Sequence, residues 1–233
     1  MIVLRPANAR GQADHGWLQA RHSFSFGDYH DPAYMGYSVL RVINDDVIAP
    51  GAGFGMHPHR DMEIVTYLLD GQLRHRDSLG NGSLITAGDV QYLCAGSGVR
   101  HSEFNASDTT PVHLLQIWIQ PAERGLPPQY AQRNIARNCK HGRWCMLASG
   151  DGREESIRIH QNAAILATVM AQDDGPLRFA AQPGRRYYLQ LATGALRLND
   201  IPMQAGDGAF IENEIQLTLS DARDAEALLF DLP

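Results

Sequence analysis

The sequence is poor in cysteine and has no excess of basic residues. Its three cysteines, Cys94, Cys139 and Cys145, are too few and too irregularly spaced for a disulfide framework or a cysteine-rich zinc site. The formal net charge is −6, and no basic run extends beyond Arg185-Arg186. The positive footprint of DNA- and RNA-binding proteins is therefore missing. We expect reduced thiols, a cytoplasmic location and no direct nucleic-acid partner, while the composition allows a protein partner.

Long apolar segments are also absent. The longest, "AAILATVMA" at 163–171, is about half of the ~20 residues that a membrane-spanning helix needs. The first residues, "MIVLRPANARG", contain no apolar stretch after a basic start. We therefore expect neither a membrane span nor a secretory signal.

Stretches with helical spacing are scarce, and the best helical candidate is the short "PPQYAQRNIAR" at 127–137. Strand signals dominate instead. Segments such as "YSVLRVIN", "VHLLQIWIQ" and "RRYYLQLATGALRLN" are short, rich in β-branched and aromatic residues, and bounded by turn residues. The sequence predicts an all-β protein.

An internal repeat divides the chain into two parts. "TYLLDGQLRH…LITAGDVQYL" at 66–93 resembles "YLQLATGALRLN…MQAGDGAFI" at 188–211. In each copy a strand leads to a glycine, Gly71 or Gly194, and an Ala-Gly-Asp turn opens a later strand. Glycine suits such turns because they often require positive φ. Three prolines interrupt the strand rhythm at 120–129, so we expect the two copies to be joined near 120–150.

Two pairs of potential metal ligands lie in the first part of the chain. In "GFGMHPHRDMEIVTYLLDG", His57 and His59 are two residues apart, and in "GSGVRHSEFN" the same spacing separates His101 from Glu103. Residues at i and i+2 of a strand share a face. Two such pairs on facing strands of a small barrel would offer three imidazoles and a carboxylate from its inner wall, a donor set that suits a first-row divalent ion. The spacing leaves Glu63, four residues after His59, as an alternative carboxylate.

These motifs resemble those of the cupin superfamily: Gly51, His57, His59, Glu63 and Gly71 form the first, and the second runs from Gly88 through His101 to Asn105. More narrowly, "HSFSFGDYHDP", "HPHRDMEIVTYLLDG", "GSGVRHSE" and "HLLQIWI" together resemble the pirin family, in particular the short bacterial pirin-like proteins described as quercetin 2,3-dioxygenases. The resemblance spans most of the chain.

The resemblance implies two tandem cupin barrels, each a double-stranded jelly roll, in a bicupin arrangement. We expect an N-terminal metal-binding barrel at 1–125, a linker at 126–150 and a C-terminal barrel without metal ligands at 151–233. In pirins the carboxylate comes from the second motif, so the resemblance implies that His57, His59, His101 and Glu103 bind the metal. Fe(II) is the expected ion, and Zn, Mn, Ni, Cu, Co or Cd are alternatives, since occupancy follows affinity and availability.

The remaining candidate residues are assigned to the surroundings of the metal. Alternation from His59 places Glu63 on the histidine side, where it is expected to orient a ligand imidazole. His22, Phe24 and Phe26 alternate with other residues and are expected near the mouth of the site, with plain packing as the alternative. We do not expect His75 or His113 to be ligands.

The resemblance implies an oxidoreductase that acts on a flavonol such as quercetin with dioxygen, opening its central ring and releasing carbon monoxide. A site carboxylate, Glu103 or less favourably Glu63, is expected to take the proton of the flavonol hydroxyl. Two alternatives stay open. In the first, the chain is a redox-responsive regulatory protein that uses the same metal site. In the second, it is an oxygenase or isomerase that acts on another small molecule.

Overall fold

The computed structural model describes residues 1–233, and strands form most of it. In chain order the first twelve strands are β1 (Ile2–Arg5), β2 (Gly11–Asp14), β3 (Leu18–His22), β4 (Leu40–Ile48), β5 (Gly53–His59), β6 (Glu63–Asp70), β7 (Gln72–Asp77), β8 (Gly82–Thr86), β9 (Asp89–Cys94), β10 (Val99–Asn105), β11 (Val112–Ile119) and β12 (Gln129–Asn134). The other eight are β13 (Cys145–Ser149), β14 (Ile157–Arg158), β15 (Ala164–Met170), β16 (Leu177–Ala180), β17 (Arg186–Leu198), β18 (Ile201–Gln204), β19 (Gly208–Glu212) and β20 (Gln216–Leu232).

Helical structure is limited to short pieces. Helix α1 spans Arg137–Lys140, and single 3-10 turns span Ala7–Ala9, Pro32–Tyr34 and Arg153–Glu155. The predicted all-β class is confirmed. None of these helices has the length and apolar composition that crossing a membrane requires. The cytoplasmic location stays a prediction.

The chain folds as two compact units. The N-terminal unit consists of residues 11–135 with 159–161, and the C-terminal unit consists of residues 1–10, 136–158 and 162–233. These units differ from the predicted ranges 1–125, 126–150 and 151–233. The first residues belong to the C-terminal unit because β1 pairs with β19. The predicted linker is also structured, since β12 pairs with β9 and β13 pairs with β15.

The predicted helix at 127–137 is wrong for most of its length. Residues 129–134 form strand β12, and only the four residues of α1 are helical after it. Tyr130 pairs with Leu93 and Gln132 with Gln91 on β9. Backbone pairing with an existing sheet edge outweighs the weak helical preference of this segment.

Two antiparallel sheets form the N-terminal unit. A four-stranded sheet has the order β5-β10-β7-β8, and a seven-stranded sheet has the order β12-β9-β6-β11-β4-β3-β2. Their apolar side chains meet in a core that takes residues from both sheets: Leu18, Ala20, Ile48, Leu68, Leu73, Ile85, Val112 and Leu114. Two sheets that share one core in this way form the layered architecture of a jelly roll.

The C-terminal unit is built on one nine-stranded sheet. Its main order is β1-β19-β17-β20-β15-β13-β14, with β16 on β20 and β18 on β17. The long strands β17 and β20 bend at register shifts between Leu191 and Thr193 and between Thr193 and Ala195. Such irregularities let a strand curve around a core, and leucines of both strands fill that core, among them Leu189, Leu198 and Leu229.

The repeat seen in the sequence is present in the backbone. Gly71 and Gly194 both have positive φ, at 82° and 72°, as do Gly88 and Gly206, at 90° and 87°. Three residues before the first glycine of each copy, a carbonyl accepts a bond from the second glycine: Leu68 O from Gly88 N, and Leu191 O from Gly206 N. The two units therefore share one strand-and-turn frame.

The Ala-Gly-Asp turns close in the same way in both units. The carboxylate of Asp89 accepts the backbone N–H of Thr86 at 2.8 Å, and that of Asp207 accepts the backbone N–H of Gln204 at 2.9 Å. An aspartate that holds the backbone three residues earlier fixes the turn before the next strand. This detail supports the assignment of the two copies to one motif.

Candidate metal centre

Two antiparallel strands carry the predicted ligands. β5 contains His57 and His59, and β10 contains His101 and Glu103. Alternation along each strand places the members of a pair on one face. The register pairs His101 with His57 and Val99 with His59. The three imidazoles therefore meet on one face of the four-stranded sheet.

The close approach of these two strands depends on Gly53. The register shifts between His101 and Glu103, so that Glu103 pairs with Phe54. A Cβ atom at Gly53 would overlap the carbonyl oxygen of Glu103 and lie 2.5 Å from Cα of Phe104. Only glycine fits this approach. Three steps along β5, from Phe54 to His57, oppose two along β10, so the extra residue lies on β5 just before the first ligand histidine, where β-bulges beside active sites commonly occur.

The three imidazoles converge. One ring nitrogen from each of His57, His59 and His101 lies within 4.8 Å of the others. The ring centroids are 4.8 Å apart for His57 and His59, 4.4 Å for His57 and His101, and 4.8 Å for His59 and His101. Nitrogens that bind one ion at about 2.0–2.1 Å are about 3–4 Å from each other. The observed spacing is compatible with a shared ion after small ring rotations.

Hydrogen bonding leaves nitrogen atoms free to bind an ion. Nδ1 of His57 lies 2.7 Å from the carbonyl oxygen of Gly55, so Nδ1 is the protonated nitrogen and Nε2 keeps its lone pair. Both ring nitrogens of His101 are buried without a hydrogen-bond partner. Buried polar atoms normally have partners, so an orphaned imidazole in this position fits a metal ligand.

Burial keeps these histidines neutral. The pKa of His59 is lowered to about 3 by burial first and then by the neighbouring His101 and His57. The pKa of His101 is lowered to about 3 by burial first and then by His57 and His75. The neutral imidazole is the form that binds metal. The cluster is therefore ready to receive a cation at neutral pH.

Glu103 is buried next to the imidazole cluster and held in place by two donors. Its Oε2 accepts a hydrogen bond from Nε2 of Gln116 at 2.9 Å, and its Oε1 accepts a longer one from Oγ1 of Thr66 at 3.4 Å. Burial raises the pKa of Glu103, while the nearby His75 and His57 and the two donors lower it. The structure brings the three imidazoles together, and the Glu103 carboxylate lies outside that converging group. With the carboxylate as a fourth donor and no thiolate, the set would suit a first-row divalent ion.

A cavity of about 240 Å³ opens onto this cluster, and His57, His59, Glu103, Gln116 and Trp118 are part of its wall. A second cavity, of about 580 Å³, shares Leu18, Ala20, His22, Phe26 and Phe54 with the first. The two cavities therefore adjoin. Pockets for small ligands commonly measure about 300–1,000 Å³, so the pair offers room for a molecule that reaches the histidines.

Of the three residues expected near the mouth, two line the cavity and one does not. His22 and Phe26 belong to the wall, and Nδ1 of His22 lies 2.7 Å from Oδ1 of Asn44. Phe24 is only 1% exposed and is part of the core instead. β3 ends at His22, and the N–H of Ser25 bonds to Tyr34 O. Strand alternation thus stops before Phe24, and its burial agrees with the alternative of plain packing.

Glu63 does not orient a ligand imidazole, which contradicts the expectation from alternation. Its Oε1 accepts hydrogen bonds from Oη of Tyr92 at 2.5 Å and from the backbone N–H of His160 at 2.6 Å. The chain leaves β5 at His59 and turns through Asp61, whose φ is +49°. β6 then lies in the seven-stranded sheet, so alternation does not carry across the turn.

His75 and His113 lie outside the converging group. The His75 ring is 5.3 Å from the His101 ring and stacks on Tyr130 at 5.0 Å. Both of its ring nitrogens are buried without a partner, and burial lowers its pKa. Nε2 of His113 bonds to Oδ1 of Asp45 at 2.7 Å instead.

Sequence reasoning missed Asn44 and Asp46, which also line the cavity. Burial raises the pKa of Asp46 to about 8, with smaller contributions from Asp45 and Glu103. A signal was available, since "YSVLRVINDDVI" places three polar residues in the middle of an apolar strand. Polar residues at inward positions of a strand are unusual unless they serve a site.

Comparison with known proteins identifies relatives over the whole chain. A family model described as Pirin matches residues 3–119, and one described as the quercetinase C-terminal cupin domain matches residues 146–232. Quercetin 2,3-dioxygenase of Escherichia coli (strain K12) is 45% identical over 233 residues, covering 100% of this chain and 99% of the relative. Pirin-like protein of Caulobacter vibrioides is 40% identical over 232 residues, covering 99% of each.

Solved structures agree with the sequence comparison. Bacterial pirin YhhW from Escherichia coli, in complex with nickel(II), superposes with a TM-score of 0.94 at 45% identity, covering 100% of this chain and 99% of that one. The expected bicupin fold is confirmed, and so is the expectation of a quercetin 2,3-dioxygenase-like oxidoreductase. The chain belongs to the pirin family.

Proposed function

We propose that this chain is a metal-dependent dioxygenase of the pirin type. It would open the central ring of a flavonol such as quercetin with dioxygen and release carbon monoxide. The observation that carries the proposal is the convergence of His57, His59 and His101 beside Glu103 at the wall of a cavity. Full-length relatives named quercetin 2,3-dioxygenase supply the substrate class.

His57, His59, His101 and Glu103 would together hold one divalent ion in the N-terminal unit. We propose Fe(II) as the ion, because dioxygen chemistry calls for a redox-active metal. Nickel(II) is an alternative, since it is the ion in the structure of the relative YhhW. When bound, the ion supplies Lewis acidity that lowers the pKa of a flavonol hydroxyl. The neutral imidazoles and the absence of thiolate from the donor set support this class of metal.

In this proposal Glu103 accepts the proton of the flavonol 3-hydroxyl. Burial raises the pKa of its carboxyl group, which brings it closer to the range of a general base near neutral pH. Gln116 and Thr66 each donate to one of its oxygens, so the carboxylate is held in one orientation. Glu63 is a weaker candidate because Tyr92 and His160 occupy its Oε1.

Aromatic side chains of the wall would hold the planar substrate and keep bulk water away. The Trp118 ring lies 5.0 Å from the His59 ring, and the Phe26 ring lies 5.3 Å from the Trp118 ring, both edge to face. Rings arranged in this way offer a flat ligand apolar surface next to the imidazole cluster. Exclusion of water strengthens the electrostatic interactions of the site.

The test is turnover after controlled metal loading. The metal-free protein is loaded without dioxygen with Fe(II), Ni(II), Mn(II), Co(II), Cu(II) or Zn(II). Loss of quercetin absorbance and release of carbon monoxide are then followed after dioxygen is added. We expect carbon monoxide in a one-to-one ratio with the quercetin consumed for at least one metal. A Glu103→Gln variant, which keeps the shape and loses the base, should release it far more slowly.

His113→Ala is the matched control, because this imidazole lies outside the cluster. Its turnover should equal that of the parent protein. Absence of carbon monoxide with every metal would contradict the proposal. It would favour the regulatory alternative, in which the same residues hold an ion that responds to oxidation.

A further inference from the structure

Strand β4 places three consecutive polar residues in an apolar sequence. Alternation sends Asn44 and Asp46 to one face and Asp45 to the other. Asn44 and Asp46 line the cavity beside the histidines, whereas Asp45 accepts a hydrogen bond from His113. Two polar groups of β4 therefore face the space that a ligand would occupy.

One carboxyl oxygen of Asp46 has no hydrogen-bond partner within the protein. The residue is 2% exposed, and its Oδ1 is buried without a hydrogen bond. Its cross-strand neighbours are Ala20 on β3 and Leu114 on β11. Neither side chain offers a donor. A buried polar group without a partner is unfavourable. Asp46 also belongs to the cavity wall, so a ligand in the cavity is the remaining candidate partner for its carboxyl group.

Other polar groups on this wall, outside the imidazole cluster, are already engaged. Oδ1 of Asn44 lies 2.7 Å from Nδ1 of His22. Nε2 of Gln116 donates to Glu103, and Oε1 of Gln116 accepts from Nε1 of Trp118 at 3.3 Å. Asp46 is thus the group of this wall whose hydrogen-bonding capacity is still free.

We propose that Asp46 is a hydrogen-bonding subsite for a hydroxyl group of the substrate, separate from the hydroxyl that approaches the imidazole cluster. The same cavity of about 240 Å³ is lined by His57, His59 and Asp46, so a ligand that fills it contacts both the histidines and Asp46. A carboxyl oxygen accepts a hydrogen bond from a phenol well. The site therefore selects aromatic molecules that carry at least two hydroxyl groups. The inference rests on the proposed function for the identity of the ring system.

The selectivity for a second hydroxyl group can be measured as a ratio of ligand affinities. A buried acceptor that a ligand leaves unpaired weakens binding of that ligand relative to one that pairs with it, typically by about 10- to 100-fold. Quercetin carries several phenolic hydroxyls, whereas 3-hydroxyflavone carries only the one next to the carbonyl. The ratio of their affinities therefore reports on a second hydroxyl subsite.

The experiment is a binding titration of the metal-reconstituted protein without dioxygen. Quenching of tryptophan fluorescence, to which Trp118 in the wall contributes, gives the Kd for quercetin and for 3-hydroxyflavone. In Asp46→Leu the affinity ratio should fall about 10- to 100-fold, because the acceptor is gone. Asp46→Asn keeps an acceptor oxygen and should retain most of the ratio. Asp46→Ala removes the acceptor with a smaller side chain and should lose the ratio in the same way, so it tests the inference if the leucine variant fails to fold.

Asp45→Asn is the matched control, since it changes the same chemical group on the opposite face of β4. Its affinity ratio should equal that of the parent protein. An unchanged ratio in Asp46→Leu, or a loss of bound metal in Asp46→Leu or Asp46→Asn, would overturn the inference. Release of carbon monoxide is measured in parallel. A shifted ratio without carbon monoxide would contradict the dioxygenase proposal alone, whereas carbon monoxide with an unshifted ratio would contradict only the role of Asp46.

Discussion

The two units differ in the residues that stand at equal distances from their matching turn glycines, Gly71 and Gly194. Four residues after Gly71 stands His75, and four residues after Gly194 stands Leu198. Thr66 stands five residues before Gly71, and Leu189 stands five residues before Gly194. All four side chains are almost fully buried. The frame is shared, and polar side chains of one unit are replaced by leucine in the other.

The N-terminal unit keeps buried polar groups that lower its stability and that a bound ligand can use. Its interior holds imidazoles of His75 and His101 and an oxygen of Asp46 that have no hydrogen-bond partner. The matching interior of the C-terminal unit is a continuous apolar cluster that includes Leu189 and Leu198. Unpaired polar groups destabilise a folded protein and persist mainly where a ligand uses them. At these matching positions the C-terminal unit therefore shows the same frame filled by apolar packing.

Metal binding should show the largest difference between the units. In His101→Ala, the loss of one of the three converging imidazoles should reduce the bound metal from one ion per chain to nearly none. Turnover should fall by more than the roughly 10- to 100-fold that is typical when only the support of a ligand is removed. Metal analysis after gel filtration measures this. His141→Ala, which removes the one histidine of the C-terminal unit, should leave the metal content unchanged. Equal loss in both variants would contradict the assignment.

Exchange of the matching interior residues should lower the free energy of unfolding much more in the C-terminal unit than in the N-terminal unit. Leu198→His buries a polar ring in an apolar cluster without a cavity, and should lower the free energy of unfolding by about 2–3 kcal/mol. His75→Leu removes an imidazole without partners, and should change that free energy by only about 1 kcal/mol or raise it. Urea unfolding followed by circular dichroism measures both. The comparison fails if the two variants are equally stable.

The ligand strands of the N-terminal unit offer a test of local geometry. Gly53→Ala would push β5 away from β10 at Glu103, because the new Cβ overlaps its carbonyl oxygen. We expect a loss of about 1–3 kcal/mol in stability and weaker metal binding, measured by competition with a chelating dye. Gly55→Ala is the control on the same strand, since a Cβ there has no atom within 4 Å. Equal metal affinity in the two variants would show that this approach does not position the ligands.

Local patterns predicted the parts of the site that lie within one strand. The i, i+2 spacing placed His57 beside His59 and put His101 on a face that meets them, and the structure brings the three together. Alternation failed where the chain turns. Asp61 interrupts it before Glu63, and the end of β3 interrupts it before Phe24. Turns of this kind depend on tertiary contacts that the periodic pattern does not contain.

Long-range pairing was the other feature beyond the reach of the sequence. No local signal indicated that β1 would pair with β19, more than two hundred residues later, or that residues 129–134 would extend a sheet instead of forming a helix. Strand preference depends on the neighbour that a strand finds. The repeat, in contrast, was visible because its glycines and Ala-Gly-Asp turns are fixed by backbone conformation and not by partners.

A further expected effect is a dependence of stability on pH that belongs to the N-terminal unit. The pKa values of His59 and His101 fall from 6.5 to about 3 on folding. Between these values the unfolded chain binds more protons than the folded one. The stability of the metal-free protein should therefore decrease as pH falls from 6.5 towards 3.

Asp46 contributes with the opposite sign. Its pKa rises from 3.8 to about 8, so the folded chain binds more protons in that range and the stability from this group is lost as pH rises towards 8. His101→Leu should reduce the loss on the acid side, and Asp46→Leu should reduce the loss on the alkaline side. Thermal unfolding in chelator at several pH values measures both slopes. His141→Leu, in the C-terminal unit, should run parallel to the parent. If the stability of all three variants changed with pH in the same way as that of the parent, the pKa shifts assigned to His101 and Asp46 would be wrong.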